Sequence, residues 1–314
     1  MRIIEGLDAV REDDRGASAA IGNFDGVHRG HQAVLDLARR DDAPLGVVTF
    51  EPHPREVFAP DAPPFRLMRI GARADRLEEL GVERLFVIPF AREFSSLTAE
   101  EFCADVIVGK LGLTHVVVGA DFRFGAKRAG DVDYLKEAGA RLGFDVTIAD
   151  LIADPETEIS STAIRAALAE GRVEDATRIL GHLHRIEGEV EHGEKRGREF
   201  GFPTINQSLD GLMTPRFGVY AVEVHVKDGP HAGDYRGVAS LGVRPMFGEN
   251  KPNLETYIFD FDGDLYGARV SVGLVKFQRP ELKFDGVDAL IAQMNEDKAE
   301  ARRILADMSG GGSE

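Results

Sequence analysis

The period of the apolar positions changes a little past the middle of the chain. Through the first 180 residues, short apolar runs rich in valine alternate with stretches of helical spacing. The runs are Ala19–Ile21, Leu45–Phe50, Leu85–Phe90, His115–Gly119 and Phe144–Ile148, each flanked by turn residues. Between them, Ala72–Leu80, Thr98–Leu111 and Val132–Leu142 space their apolar residues at three and four, and Glu101 completes a capping box with Thr98. Fully apolar strands separated by helices predict an α/β fold with a parallel sheet covered on both faces. Two further helices are expected, one opening at Ser161 or Thr162 and stopping near Gly171, the other over Val173–Leu180. Beyond Gly181-His182 the period falls to two. Gly218–Val226 sets Tyr220, Val222, Val224 and Val226 against Glu223 and His225, and Tyr235–Leu241, Leu254–Phe259 and Arg269–Phe277 are also strand-like. With a closing helix over Val287–Leu305, this predicts a small antiparallel β-barrel. The expected domains are residues 1–182 and 183–308, followed by a flexible glycine-rich tail, 309–314.

Composition narrows the partners. A 314-residue chain that is 43% hydrophobic and 29% charged has enough apolar material for two cores. Its net charge of −16 argues against nucleic acid or an anionic membrane as partner, so any phosphate must meet local positive charge. A single cysteine, Cys103, excludes an intrachain disulfide and suits a reducing cytoplasm; its helical setting makes it a packing thiol rather than a nucleophile. No apolar run reaches membrane-spanning length, and the first residues lack the apolar stretch of a signal peptide.

The chemistry gathers at predicted strand ends. After Ala19–Ile21 comes Gly22-Asn23-Phe24-Asp25-Gly26-Val27-His28-Arg29-Gly30-His31, running into a helix. A strand, a glycine-bearing turn and a helix N-terminus aim backbone N–H groups and a positive dipole end at one place, which suits phosphate. His28 and His31, three apart, face the same way and can donate hydrogen bonds to developing negative charge. Taken alone, the turn also fits a pair of metal ligands or two polar rings that simply face solvent. Further clusters follow at Glu51-Pro52-His53-Pro54-Arg55, at Gly119-Ala120-Asp121-Phe122-Arg123-Phe124-Gly125, and at Ser160-Ser161-Thr162-Ala163-Ile164-Arg165. Arg165 lies one turn into its helix, on the side of the N-terminus. In the second half, Gly193, Lys195, Arg196, Gly197 and Arg198 form a loop able to wrap a polyphosphate. Thr204 and Asn206 offer neutral oxygens on one side of an extended chain, suited to Mg²⁺ with ATP phosphates. Glu255 shares a face with Tyr257 and Phe259, where partial desolvation makes its carboxylate a better base.

Gly22–His31, Pro-His-Pro, Asp-Phe-x-Phe-Gly and Ser-Ser-Thr-x-Ile-Arg together resemble the adenylyltransferase half of the prokaryotic bifunctional riboflavin kinase/FAD synthetases. That half is a Rossmann-like sheet of the nucleotidylyl-transferase superfamily, whose His-x-Gly-His turn is here His28-Arg29-Gly30-His31. Pro203-Thr204-Ile205-Asn206, Glu255 and Gly263-Asp264-Leu265-Tyr266-Gly267 resemble the kinase half. The resemblance implies a two-step enzyme that phosphorylates riboflavin to FMN and adenylylates FMN to FAD, using ATP and Mg²⁺. It assigns ATP in the first half to Gly22, Phe24, Asp25, Gly30, Ser161, Thr162 and Arg165, with His28 and His31 catalytic, and FMN to His53, Asp121 and Arg123. In the second half it assigns ATP to Gly193, Lys195, Gly197 and Arg198, metal to Thr204 and Asn206, and the catalytic base to Glu255. The expected partners are small molecules alone, with the chain a monomer or weak homo-oligomer in the cytoplasm. The chain departs from the family pattern at Asp121, where asparagine is frequent, and at Ser240, Met246 and Pro280. A monofunctional enzyme and a non-catalytic flavin-binding module are the rival readings.

Overall fold

The computed structural model describes residues 1–150, 153–154, 157–193, 201–246 and 249–310, with the side chains of 153–154, 157–158, 244–246, 249–250 and 309–310 left aside. Two compact units emerge. One comprises Met1–Pro63 and Ile70–Ile159; the other comprises Pro64–Arg69 and Ser160 onward.

The first unit is a six-stranded sheet, β1 (Arg2–Glu5), β2 (Ser18–Ile21), β3 (Leu45–Glu51), β4 (Arg84–Pro89), β5 (His115–Gly119) and β6 (Asp145–Ala149). Every pairing is parallel and the order is β1-β4-β3-β2-β5-β6. Both faces are covered, as the apolar runs predict. Ala19, Ile21, Val48, Phe86, Ile88, Val116 and Val118 join one core with Phe102, Ile107 and Leu135, while the alternate residues Ala20, Val47, Leu85 and Val117 are buried on the opposite face. The helices are α1 (Arg29–Ala38), α2 (Pro54–Phe58), α3 (Ile70–Glu79), α4 (Arg92–Ser95), α5 (Ala99–Glu101) and α6 (Val132–Leu142). The Thr98–Glu101 capping box opens α5, which continues as a π-helical run, Phe102–Leu111. The strand order reverses between β2 and β5, so the crevice where doubly wound sheets bind ligands lies at the carboxyl ends of those strands.

After β6, the short strands β7 (Ala153–Asp154) and β8 (Thr157–Glu158) pair before the chain enters the second unit. The Ser160–Arg165 cluster therefore does not follow β6 directly. Its helix, α7 (Ser161–Glu170), and α8 (Val173–Leu180) belong to the second unit, whereas residues 1–182 were expected as the first domain. Gly171 and Gly181 end these helices in the left-handed conformation that glycine takes without penalty.

The rest of the second unit is antiparallel: β9 (His184–Glu189), β10 (Thr204–Ser208), β11 (Gly218–Val226), β12 (Gly233–Met246), β13 (Glu249–Ile258) and β14 (Arg269–Arg279), in the order β10-β13-β12-β11-β14-β9. A bridge between Glu191 and Asn206 brings the two edges together and closes the barrel. Tyr220, Val222, Val224, Leu254, Ile258, Val272 and Leu274 are buried. Outside the barrel, the C-terminal helix (Val287–Gly310) packs Ala301, Ile304 and Leu305 on Ala221, Phe259 and Val275. That helix runs two residues into the expected tail, and 311–314 lie outside the described residues.

Candidate active sites

In the first unit, three of the polar clusters follow β3, β2 and β5, which are adjacent strands, so the fold collects them along one edge of the sheet. The turn after β2 is tightly specified. Phe24 and Val27 adopt left-handed φ angles of 52° and 43°, an unfavourable conformation for a β-branched residue. Val27 N–H donates to the Phe24 carbonyl at 3.1 Å, and Gln32 Nε2 donates to the Val27 carbonyl at 2.9 Å. The Asn23 carbonyl accepts from Arg73 Nη1 at 2.8 Å and from Thr49 Oγ1 at 3.3 Å.

His28 caps α1, its Nδ1 accepting from the His31 backbone N–H at 3.3 Å. That bond uses Nδ1 as the acceptor and so leaves the ring proton on Nε2. The His28 and His31 rings stack with centroids 3.6 Å apart and planes 15° apart, and Phe24 lies 5.0 Å from His31. Burial, then His28, then Arg73 hold His31 well below the ordinary imidazole range, so it is neutral at pH 7. Its Nδ1 is buried without a hydrogen-bond partner. Gly30 faces the His28 ring, where a Cβ would stand 3.1 Å from Nδ1 and Cε1; at Gly22 a Cβ would meet the Phe24 ring at 3.3 Å. Phe24 and Asp25 are buried beneath the turn.

His53 caps α2, its Nδ1 accepting from Arg55 N–H at 3.0 Å while Glu56 accepts from the His53 N–H at 3.0 Å. Asp121 is exposed, and Arg123 pairs with Asp131 at 3.1 Å. Two residues that sequence reasoning missed stand out here. Arg73 is 1% exposed and joins Glu51 at 2.9 Å as well as Asn23; Phe58, on α2 and edge-on to Phe90, is 67% exposed. Cys103 is buried and its thiol is pushed up to about 12 by burial, which removes it from nucleophilic chemistry.

In the second unit, Ser160 rather than Ser161 or Thr162 caps α7, accepting from Ala163 N–H at 3.1 Å. Ser161 and Thr162 begin the helix, and Arg165 donates to the Phe65 carbonyl at 2.7 Å with its guanidinium over the Phe65 ring.

On the barrel, register assembles the other set. Asn206 pairs with Glu255 and Glu255 with Ser240, so these three stand side by side on β10, β13 and β12, with Thr204 opposite Tyr257 on the same face. The alternate β13 residues Leu254, Thr256 and Ile258 are buried on the inner side. A cavity of about 330 Å³ is lined by Thr204, Ser240, Glu255, Tyr257, Arg279, Leu290 and Met294 among others. Leu290 and Met294, expected as packing residues, are half-buried because they line this space rather than the barrel. A second cavity, of about 450 Å³, is lined by Val190, Thr204, Ile258 and Gly263–Tyr266. Thr204 borders both.

Asn206 is fixed by Asn253, whose Nδ2 donates to Asn206 Oδ1 at 3.0 Å. Gly193 passes close over it: a Cβ there would approach Asn206 Cγ to 2.7 Å. Hydroxyl, amide and carboxylate oxygens meeting at a glycine-backed cradle are hard donors that fit Mg²⁺ with phosphate oxygens. Among the described residues no three His, Cys, Asp or Glu side chains cluster to bind a metal by themselves. Lys195, Gly197 and Arg198 lie outside the described residues, as does the Met246 side chain.

Comparison with known proteins finds a relative for each half of the chain. The FAD synthetase family model matches residues 10–163 and the riboflavin kinase model residues 180–305. A bifunctional riboflavin kinase/FMN adenylyltransferase of Pseudomonas fluorescens is 42% identical over 311 residues, covering 98% of both chains. The Escherichia coli K12 protein of the same description is 41% identical, covering 97% of this chain and 98% of its own. A crystal structure described as a macrolide-efflux protein of Streptococcus pneumoniae superposes with a TM-score of 0.82 at 33% identity, covering 96% and 98% of the two chains. Among the described residues no helix is long and apolar enough to cross a membrane. The chain belongs to the bifunctional riboflavin kinase/FMN adenylyltransferase family.

Proposed function

We propose that this chain makes FAD from riboflavin in two ATP-dependent steps at two separate sites, with residues 183–308 carrying the first and 1–182 the second. The observation that carries the reading is the register that sets Asn206 beside Glu255 and Ser240, the latter two lining a cavity with Thr204, in the same chain as a stacked, buttressed His28–His31 pair.

In the kinase step, riboflavin occupies the 330 Å³ cavity and ATP phosphates the space beside Thr204 and Gly193. Glu255 takes the proton of the ribityl 5′-hydroxyl as its oxygen attacks the γ-phosphorus; ADP leaves. Thr204 and Asn206 would hold Mg²⁺, which when bound offsets phosphate charge. The apolar side chains of Leu290 and Met294 are available to cover the flavin ring.

In the adenylyl step, an FMN phosphate oxygen attacks the α-phosphorus of a second ATP and pyrophosphate leaves. No protein atom bonds covalently to substrate; the site orients two anions and stabilises charge that grows in the transition state. The Nε2–H of His28, and neutral His31 beside it, donate to the phosphate oxygens. Neutrality of His31 suits this role, since an imidazolium pair stacked at 3.6 Å would repel. Phe58 offers an exposed aromatic face to isoalloxazine. The roles of Gly22, Phe24, Asp25, Gly30, Ser161, Thr162, Arg165, His53, Asp121 and Arg123 rest on the family resemblance. ATP as substrate and a lone buried thiol favour a cytoplasmic enzyme, and residues from one chain suffice for both sets.

Chromatography of flavins after incubation with Mg-ATP tests the reading. FAD formed from riboflavin and from FMN is the expected result. FAD from FMN alone would leave only the second activity, with Ser240 at the silent site; no conversion of either would leave a flavin-binding module.

A further inference from the structure

We infer that Arg73 is a positioning residue for adenylyl transfer, holding the His28–His31 turn in the conformation that presents both rings. The inference rests on the reading of that turn as the adenylyl site. Arg73 is the largest of the fully buried side chains, and long cations are seldom buried unless paired. Its two ends of the guanidinium fork are both used. Nη2 meets Glu51 at 2.9 Å, and Nη1 donates to the Asn23 carbonyl at 2.8 Å.

Asn23 is where the turn departs from β2, one residue before the left-handed Phe24 and four before the left-handed Val27. Strained residues persist only where their surroundings over-determine them. Here the fixing bonds come from three directions: Arg73 on α3, Thr49 on β3, and Gln32 on α1. Arg73 alone among these carries charge. It also bears on His31 electrostatically, together with the stacked His28 ring, so a single buried cation both anchors the turn and opposes protonation of the ring it presents. None of this brings Arg73 into contact with substrate; its effect runs through Asn23 and the histidines.

Three measurements on the full chain separate this role from simple support of the fold. Arg73→Met is expected to lower kcat for FAD formation from FMN by about 10- to 100-fold, the loss that follows from a displacement of order 1 Å at a reacting centre, with KM for FMN little changed. Riboflavin phosphorylation by the same preparation should be unaltered. Arg73→Lys, which keeps the charge and a donor for the Asn23 carbonyl, should recover most of the lost kcat. The imidazole resonances of His31 should titrate at higher pH in Arg73→Met than in the parent chain. Should Arg73→Met unfold because Glu51 is left without its cation, the double variant Arg73→Met/Glu51→Gln removes both charges and answers the same questions. An unchanged kcat and His31 titration in a folded variant would overturn the inference, as would equal losses in both activities. His28→Ala is the separate control: retention of FAD formation there would refute the adenylyl site itself, whatever Arg73 does.

Discussion

His31, His115 and His184 all titrate below the ordinary histidine range, in each case chiefly because burial penalises the charged ring. His115 is neutral within a network across the sheet, with Ser18 Oγ 2.8 Å from Nδ1 and Thr147 Oγ1 2.9 Å from Nε2. His184 lies 4% exposed at the start of β9, and burial followed by the neighbouring His182 brings it to about 4. The unfolded ring titrates at 6.5, so between pH 6.5 and 4 the unfolded state binds the proton and the folded state does not. Stability is therefore full above pH 6.5 and falls as the pH drops towards 4, by about 3 kcal/mol for this group. Denaturant unfolding of His184→Gln at pH 7 and pH 4.5 should show a shallower loss than the parent chain. An equal loss in both would place the acid sensitivity elsewhere.

At the scale of elements, the barrel loop and the α1 turn depend on glycine for different reasons. Gly193 must be bare because Asn206 lies directly beneath it; Gly193→Ala should cost about 10- to 100-fold in riboflavin phosphorylation while FAD formation from supplied FMN continues. An alanine tolerated without loss would mean that the loop does not hold ATP against Asn206. Gly30 is helical, and the Cβ it lacks would press on the His28 ring at 3.1 Å, so Gly30→Ala should tilt that ring and slow adenylylation only. Unaltered adenylylation would show that the ring has room to turn. These elements also show what was readable beforehand. The four central strands, β2 to β5, announced themselves because buried parallel strands are continuous apolar runs. The edge strand β1 did not: Ile4 is buried but Ile3 is half exposed, and four residues with one buried side chain carry no period. Three hydroxyls in a row hid which one caps α7, since each can accept from an N–H two or three residues on; backbone geometry chose Ser160. Glu255 was legible through its alternation with Tyr257, but its neighbours Asn206 and Ser240 are set by strand pairing across 49 and 15 residues of chain. Arg73 was illegible for the opposite reason. Within an amphipathic helix an arginine reads as solvent-facing, and only the tertiary position of α3 turns it inward.

At the scale of the molecule, the proposed function has a strongly acidic chain handle two nucleotides at two glycine-backed cradles, one at the parallel sheet and one at the antiparallel barrel. The two proposed sets share no residue and call on unlike chemistry: hydrogen-bond donation from imidazole in one, proton removal by a carboxylate in the other. Two activities that share a chain but no catalytic group should be separable by single substitutions. The most direct measurement is flavin chromatography of His28→Ala and Glu255→Ala, each given Mg-ATP with riboflavin and, separately, with FMN. His28→Ala should turn riboflavin into FMN and stop there. Glu255→Ala should leave riboflavin untouched, with a loss of about 100-fold or more, and still convert FMN to FAD. Loss of both conversions in either folded variant, or FAD made by His28→Ala at the parent rate, would contradict two independent sites.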